Sequence, residues 1–271
     1  GGQGFADGEL SGPSDVAFDA QGNIYVADTA NNRVSKYDAN GVFQSSYGGF
    51  RSPDITLNQP WSVAVADDGT VFIADTWNHK VIKVGADGKK LKEWGAGGVA
   101  ETGGDPFMLF GPREITLTAD GNVLITDTGN GRIIGYTQDG DFVRQFGEKV
   151  TDACLAAANC PPLALNEPVG LITNEAGDVY IADFWNKRVL VLTKDLQVKT
   201  TIAVESWGSR NVTDRPYMAL LPDGRLLVTD PNPCPTAPVH APEGTDVPCP
   251  ATKGRILVFG TDGAQVAAYE L

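Results

Sequence analysis

Ten residues at 25–34, YVADTANNRV, return as FIADTWNHKV at 72–81, as LITDTGNGRI at 124–133 and as YIADFWNKRV at 180–189. No other feature limits the fold as strongly, because self-similarity at a regular period marks one supersecondary unit made several times and stacked on its neighbours. Each copy sits in a longer unit that opens on a proline: Pro13, Pro60, Pro112, Pro168 and Pro216. A recurring aspartate follows in each: Asp28, Asp75, Asp127, Asp183 and Asp230. Both series step by about fifty residues, the long end of repeat periods, with insertions making the spacing uneven. The repeats cover about 11–49, 58–95, 110–147, 166–204 and 214–271, and a long insertion interrupts the fifth.

Every repeat carries four short β patterns. In the first these are DVAFD, NIYVAD, RVSKYD and VFQSSYG. Turns rich in Asp, Asn and Gly separate the first two patterns (DAQGN, DDGT, ADGN, EAGD, PDGR) and the last two (DANGV, ADGK, QDGD, TDGA). Glycine takes positive φ in such hairpin turns at little steric cost. Short, evenly spaced strands with aromatic–Gly punctuation indicate four-stranded antiparallel blades, an all-β propeller. No segment has the length and 3.6-residue periodicity to compete as a helix. A blade cannot bury its faces alone, so residues 1–271, with 42% hydrophobic content, read as one domain.

The residues resemble the NHL-repeat β-propeller family. The pattern runs from the opening proline through A-D-T-x-N-x-R-V to the aromatic–Gly end, and four of the five copies match it closely. Propellers of that family usually have six blades, whereas five repeats are visible, so the chain is five-bladed or six-bladed with one blade not evident. The order of segments, and RPYMALLPDGRLLVTDP in the fifth repeat in particular, also resembles NHL modules of bacterial extracytoplasmic or membrane-associated proteins.

Against that background the recurring set reads as architecture. The aspartate ends the second strand and can accept N–H groups of the following loop. The asparagine tolerates left-handed geometry there, and the Arg or Lys can pair with the aspartate or a neighbouring blade. What varies between copies is more informative. After the Asp-Thr or Asp-Phe pair stand Ala30, Trp77, Gly129 and Trp185. Since Ala and Gly serve the fold, Trp77 and Trp185, with the adjacent Asn78 and Asn186, are the candidate binding residues; exposed Trp commonly anchors a protein partner or stacks on a sugar. The competing reading packs each Trp on the adjacent blade. Trp61, which follows a repeat proline, reads as structural.

The chemistry of the chain excludes several functions. The net charge is −13, with 21 basic against 34 acidic residues and no basic run beyond Lys89-Lys90. Nucleic-acid binding needs clustered Lys and Arg, so no nucleic-acid partner is expected, nor a direct interaction with anionic headgroups. No apolar run of about twenty residues offers a membrane span. No signal peptide is visible, and GGQGFADGEL reads as a connector leading into a blade, which implies processing or truncation ahead of it.

The four cysteines form two local sets in insertions. Cys154 and Cys160 flank LAAAN, and Cys234 and Cys249 flank a Pro-rich segment. The spacing is not C-x-x-C and only His79 and His240 are available, so disulfides Cys154–Cys160 and Cys234–Cys249 fit better than zinc and imply an oxidising compartment. NVT at 211–213 is a sequon that carries little weight without a known host.

No G-x-S-x-G elbow, P-loop or H-E-x-x-H stands in the chain, and no catalytic or metal residue is assigned. The NHL-type peptide-amidating lyase uses histidine-bound zinc, which two histidines do not supply. Other six-bladed enzymes hold calcium in the axial channel. First blade strands line that axis, so Asp15 and Glu114 are the candidate channel residues; an axial calcium is the one cofactor this resemblance admits. The reading that follows is a non-enzymatic, extracytoplasmic scaffold propeller with a protein partner, with association to a membrane protein left open. A carbohydrate-recognition module linked to a membrane sugar-handling enzyme, and a metal-dependent lyase or hydrolase with an axial site, stay open beside it.

Overall fold

The computed structural model describes residues 2–49, 52, 54–98, 104–157, 159–207, 215–231 and 253–271. Cys234, Cys249, His240 and the sequon lie outside them. The fold is an all-β, five-bladed propeller, each repeat forming one four-stranded antiparallel sheet with its strands in sequence order. Blade 1 comprises Asp15–Phe18, Ile24–Asp28, Arg33–Tyr37 and Phe43–Gly48. Blade 2 comprises Ser62–Val65, Val71–Asp75, Lys80–Val84 and Lys90–Trp94. Blade 3 comprises Pro112–Leu117, Val123–Asp127, Arg132–Tyr136 and Phe142–Phe146. Blade 4 comprises Pro168–Thr173, Val179–Asp183, Arg188–Leu192 and Val198–Ala203, and blade 5 Met218–Leu220, Leu226–Asp230, Arg255–Phe259 and Gln265–Glu270.

The hairpin chemistry read from the sequence is what shapes each blade. Gly22, at φ 80°, occupies the left-handed position of the first turn of blade 1, and a side chain there would be strained. Blade 4 departs from the pattern: Leu196 takes φ 60° in its last turn, where the other blades have glycine. Outside the blades, Ala96–Gly97 pairs in parallel with Met108–Leu109, and a short α-helix spans Asp152–Ala156. Cys154 and Cys160 are joined by a disulfide with Cα atoms 4.6 Å apart, which closes that insertion on itself.

The chain divides into two compact units, residues 1–130 with 134–144, and 131–133 with 145–271. In the first unit, Tyr25, Val34 and Tyr47 of blade 1 share a core with Val63, Ile73 and Ile82 of blade 2. Phe72 and Trp94 of blade 2 share another with Ile115, Ile125 and Tyr136 of blade 3. In the second unit, Val189 and Ile202 of blade 4 pack with Leu226, Val228 and Phe259 of blade 5. Within each unit, one face of a blade therefore meets the opposite face of the next.

Candidate binding face

The loop between second and third strands is a single 3₁₀ turn in blades 1 to 4: Thr29–Asn31, Thr76–Asn78, Thr128–Asn130 and Phe184–Asn186. The aspartate ahead of each turn is fully buried. Its Oδ1 accepts the backbone N–H of a residue 17 positions earlier: Ser11 (2.7 Å), Asn58 (2.7 Å), Phe110 (2.7 Å) and Asn166 (2.8 Å). Its Oδ2 accepts the amide of Asn31 (2.9 Å), Asn78, Asn130 and Asn186 (2.8 Å each). The same amides donate to carbonyls of the entering segment, those of Gly4, Thr56, Met108 and Ala164. Arg33 and Arg188 add a guanidinium at 2.7 and 2.6 Å, and Arg255 does so to Asp230 at 3.2 Å. A buried carboxylate is tolerable only with such donors; here they fasten the chain entering a blade to that blade.

Two sequence expectations are corrected. The aspartate takes its backbone N–H from the segment that precedes its blade rather than from the following loop, whose asparagine reaches it by its side-chain amide instead. The left-handed residue is not the recurring asparagine but the next one, Asn32, His79, Gly131 and Lys187, with φ between 52° and 61°. Asn186 is buried, which corrects it as a binding residue, whereas Asn78 gives its amide to the staple but stays partly exposed beside Trp77.

Blade 2 departs from this scheme. Lys80 stands where Arg33 does and turns to Glu93 at 2.7 Å. Burial pushes the Asp75 carboxyl up to about 6, against the opposing pull of the Asn58 N–H, the Asn78 amide and Lys80. A carboxyl raised in the folded state contributes stability that is complete below the ordinary carboxylate range and lost as pH rises through the folded value. Lys80→Arg would bring a guanidinium to Asp75 as Arg33 does to Asp28 and lower that value. We expect a gain of up to about 3 kcal/mol above pH ~6, roughly the worth of two pKa units, shrinking to nothing near pH ~4. Urea denaturation across that range measures it.

The two tryptophans part company. Trp77 is 45% exposed, whereas Trp185 is 5% exposed. Trp185 belongs to the core of the second unit with Phe184 and Trp207, whose rings lie 5.4 Å apart. This corrects Trp185 as a binding residue: Phe184 replaces the threonine of the other copies, and Trp207 comes in from beyond the blade to complete an apolar nest. Trp77 instead donates its indole N–H to Gln59 Oε1 at 2.8 Å. Gln59 has φ 47° and donates its own N–H to Asn32 Oδ1 at 2.7 Å. The equivalent positions ahead of the repeat prolines are Gly12, Gly111 and Glu167, all left-handed. Gln59 was missed in the sequence; the signal was a glycine replaced by a long polar residue in front of Pro60.

Beside Asn32 lies a cavity of about 660 Å³ lined by Phe5, Asp7, Asn31, Asn32, Arg33 and Ser46, among others. Phe5 is among the most exposed large apolar side chains. The Arg33 guanidinium is taken up by Asp28 and the carbonyls of Phe5, Ala6 and Glu9. His79 accepts the Gly111 N–H on Nδ1 and packs on Phe110. Trp61 is half-buried beneath the Arg113 guanidinium.

Asp15 and Glu114, expected to face the axis, come together from blades 1 and 3 at the buried Ser62 of blade 2. Ser62 Oγ lies 2.6 Å from Asp15 Oδ2 and 2.8 Å from Glu114 Oε1. Val63 N–H donates to Asp15 and Ile115 N–H to Ser62. Among the described residues no three His, Cys, Asp or Glu side chains gather in a set that could hold a metal ion.

Comparison with known proteins agrees with this architecture. The NHL repeat model matches residues 10–37 and 57–83. The chain is 25% identical over 146 residues to the protein brain tumor of Drosophila melanogaster, a match covering 53% of this chain and 13% of that protein. Among solved structures it is similar to the nidogen/laminin complex (TM-score 0.65, 15% identity, 96% of this chain and 80% of that one). It is also similar to virginiamycin B lyase from Staphylococcus aureus (0.61, 15%, 95% and 69%) and hydrazine synthase from Kuenenia stuttgartiensis (0.62, 15%, 99% and 68%). At such identity the solved structures speak to fold alone. The chain carries NHL repeats within a five-bladed β-propeller.

Proposed function

We propose that this propeller is a non-enzymatic, extracytoplasmic scaffold that binds a protein partner through the loop face built around Trp77. One observation carries the reading: an exposed indole is held in place by a glutamine in a conformation that costs a non-Gly residue on the order of 1–2 kcal/mol. Blades 1 and 3 use glycine at that position, so the fold does not need the glutamine; its amide serves to fix the tryptophan. A pre-oriented, amphipathic aromatic is the commonest kind of interface anchor. The nidogen/laminin complex is an instance of a similar fold solved together with a protein partner. The Cys154–Cys160 disulfide supports an oxidising location.

Affinity capture from the native cell envelope, with wild type and Trp77→Ala as parallel baits and mass spectrometry as readout, tests the proposal. A protein retained by the first and lost by the second supports it; identical retention by both contradicts it. The cavity at Phe5 favours a second reading, carbohydrate recognition, because an exposed ring beside Asn32, Asp7 and Ser46 suits a sugar; a glycan array decides that. A lyase or hydrolase with an axial ion is decided by metal analysis of the purified protein.

A further inference from the structure

The left-handed residue after the recurring asparagine carries a different side chain in each of blades 1 to 4: Asn32, His79, Gly131 and Lys187. In blades 1 and 2 that side chain reaches the chain entering the next blade, at the residue ahead of its proline. Asn32 Oδ1 accepts the Gln59 N–H at 2.7 Å, and His79 Nδ1 accepts the Gly111 N–H at 2.9 Å. Gly131 has no side chain to offer, and Lys187 is a donor, turned to the Glu205 carbonyl at 3.2 Å. The same latch is thus built once from an amide, whose acceptor is permanent, and once from an imidazole, whose acceptor is not.

An imidazole accepts only on a nitrogen that holds no proton. Neutral His79, with its proton on Nε2, closes the latch. Protonated His79 carries an N–H on both nitrogens, so Nδ1 and the Gly111 amide become two donors facing each other and the bond is lost. The latch is therefore complete above the range in which histidine titrates and is lost as pH falls through it. His79 also ends the turn that carries Trp77: its own N–H donates to the Thr76 carbonyl at 3.2 Å, and its ring lies on Phe110 with centroids 5.2 Å apart. Gln59 holds the Trp77 indole, and Gly111 holds the residue that closes its turn.

The charged groups of the surrounding elements have roles of their own. On the same blade, Asp75 takes the Asn58 N–H and the Asn78 amide, and Lys80 pairs with Glu93. The Ala96–Gly97 strand, whose Gly97 lies against the ring, brings no charge. On the segment entering blade 3, Asp105 accepts the Phe107 N–H, and Asp127 of that blade accepts the Phe110 N–H and the Asn130 amide.

We infer that His79 is a proton-operated latch on the Trp77 loop, keeping the loop set for its protein partner at neutral pH and releasing it in acid. The inference rests on the reading of Trp77 as the anchor. Asn32 supplies the test variant: His79→Asn keeps an acceptor, tolerates left-handed geometry and does not titrate, so it should melt as wild type does at neutral pH. NMR of isotope-labelled protein follows the Gly111 amide and the Trp77 indole N–H, the latter assigned by its absence from Trp77→Ala, from pH ~8 to pH ~5, the span of histidine titration. In wild type the Gly111 amide should lose roughly tenfold in exchange protection, the scale of one hydrogen bond, and the indole signal should shift along the titration curve of the His79 ring. In His79→Asn both should stay constant. The Asp75 carboxyl, raised to about 6, titrates in the same span and is present in both proteins, so a response that survives in His79→Asn belongs to Asp75 and overturns the inference. A wild-type Gly111 amide that keeps its protection in acid, or an indole signal that ignores the His79 titration, overturns it too. In the envelope capture, a protein whose retention needs Trp77 should elute from wild type at pH ~5 and stay on His79→Asn; elution from both, or from neither, counts against it. The NMR readouts involve no partner, so failure of the latch and failure of the anchor reading are told apart.

Discussion

Asp28→Ala should destabilise the protein by about 3–5 kcal/mol, the usual loss when one partner of a buried ion pair is removed. The carboxylate is fully buried and receives the Ser11 N–H, the Asn31 amide and the Arg33 guanidinium within 2.7 to 2.9 Å. Without it the guanidinium stays buried with its Nε unpaired, and the segment at 4–11 loses its Ser11 attachment and the anchor that orients Asn31 and Arg33 towards it. Equilibrium urea unfolding measures the loss, and hydrogen exchange should show the Ser11 amide opening early. A change under about 1 kcal/mol would remove the recurring aspartate from the architecture and reopen it as a functional group.

Trp185→Ala should cost a comparable amount, about 3–5 kcal/mol for a large aromatic removed from a core. The side chain packs in the cluster that joins blades 4 and 5, with Phe184, Trp207 and Val189 among its members. The void left between two sheets cannot collapse easily, because both are tied by their own ladders. Thermal and urea unfolding of this variant beside Trp77→Ala should separate the two sharply, although the local sequences, TWN and FWN, differ in one residue.

That contrast shows where the sequence stops being informative. Strand alternation, turn glycines and the repeated proline and aspartate are local signals, and they were enough for four strands per repeat and for the propeller class. The Trp77 and Trp185 environments depend on residues far along the chain: Gln59 reaches one across 18 positions, and Trp207 arrives from beyond the blade to stand in the other's cluster. The direction of the aspartate staple was hidden for the same reason, since its partner lies 17 residues upstream. Asp15 and Glu114 were legible as two first-strand carboxylates; their meeting at Ser62 needed three blades in register. The repeating residues build the blades, and the exposed, non-repeating ones are left to carry recognition.

The most direct test of that division is one pair of measurements, melting temperature and affinity for the captured partner, made on Trp77→Ala and Gln59→Gly. Trp77→Ala should melt as wild type does and weaken binding by about 2 kcal/mol or more, the range of interface hot spots. Gln59→Gly should match or exceed wild-type stability by about 1 kcal/mol, as left-handed strain is relieved, and should still bind more weakly because the indole is no longer held. Variants that melt lower yet bind with wild-type affinity would contradict the account and return Trp77 to the architecture.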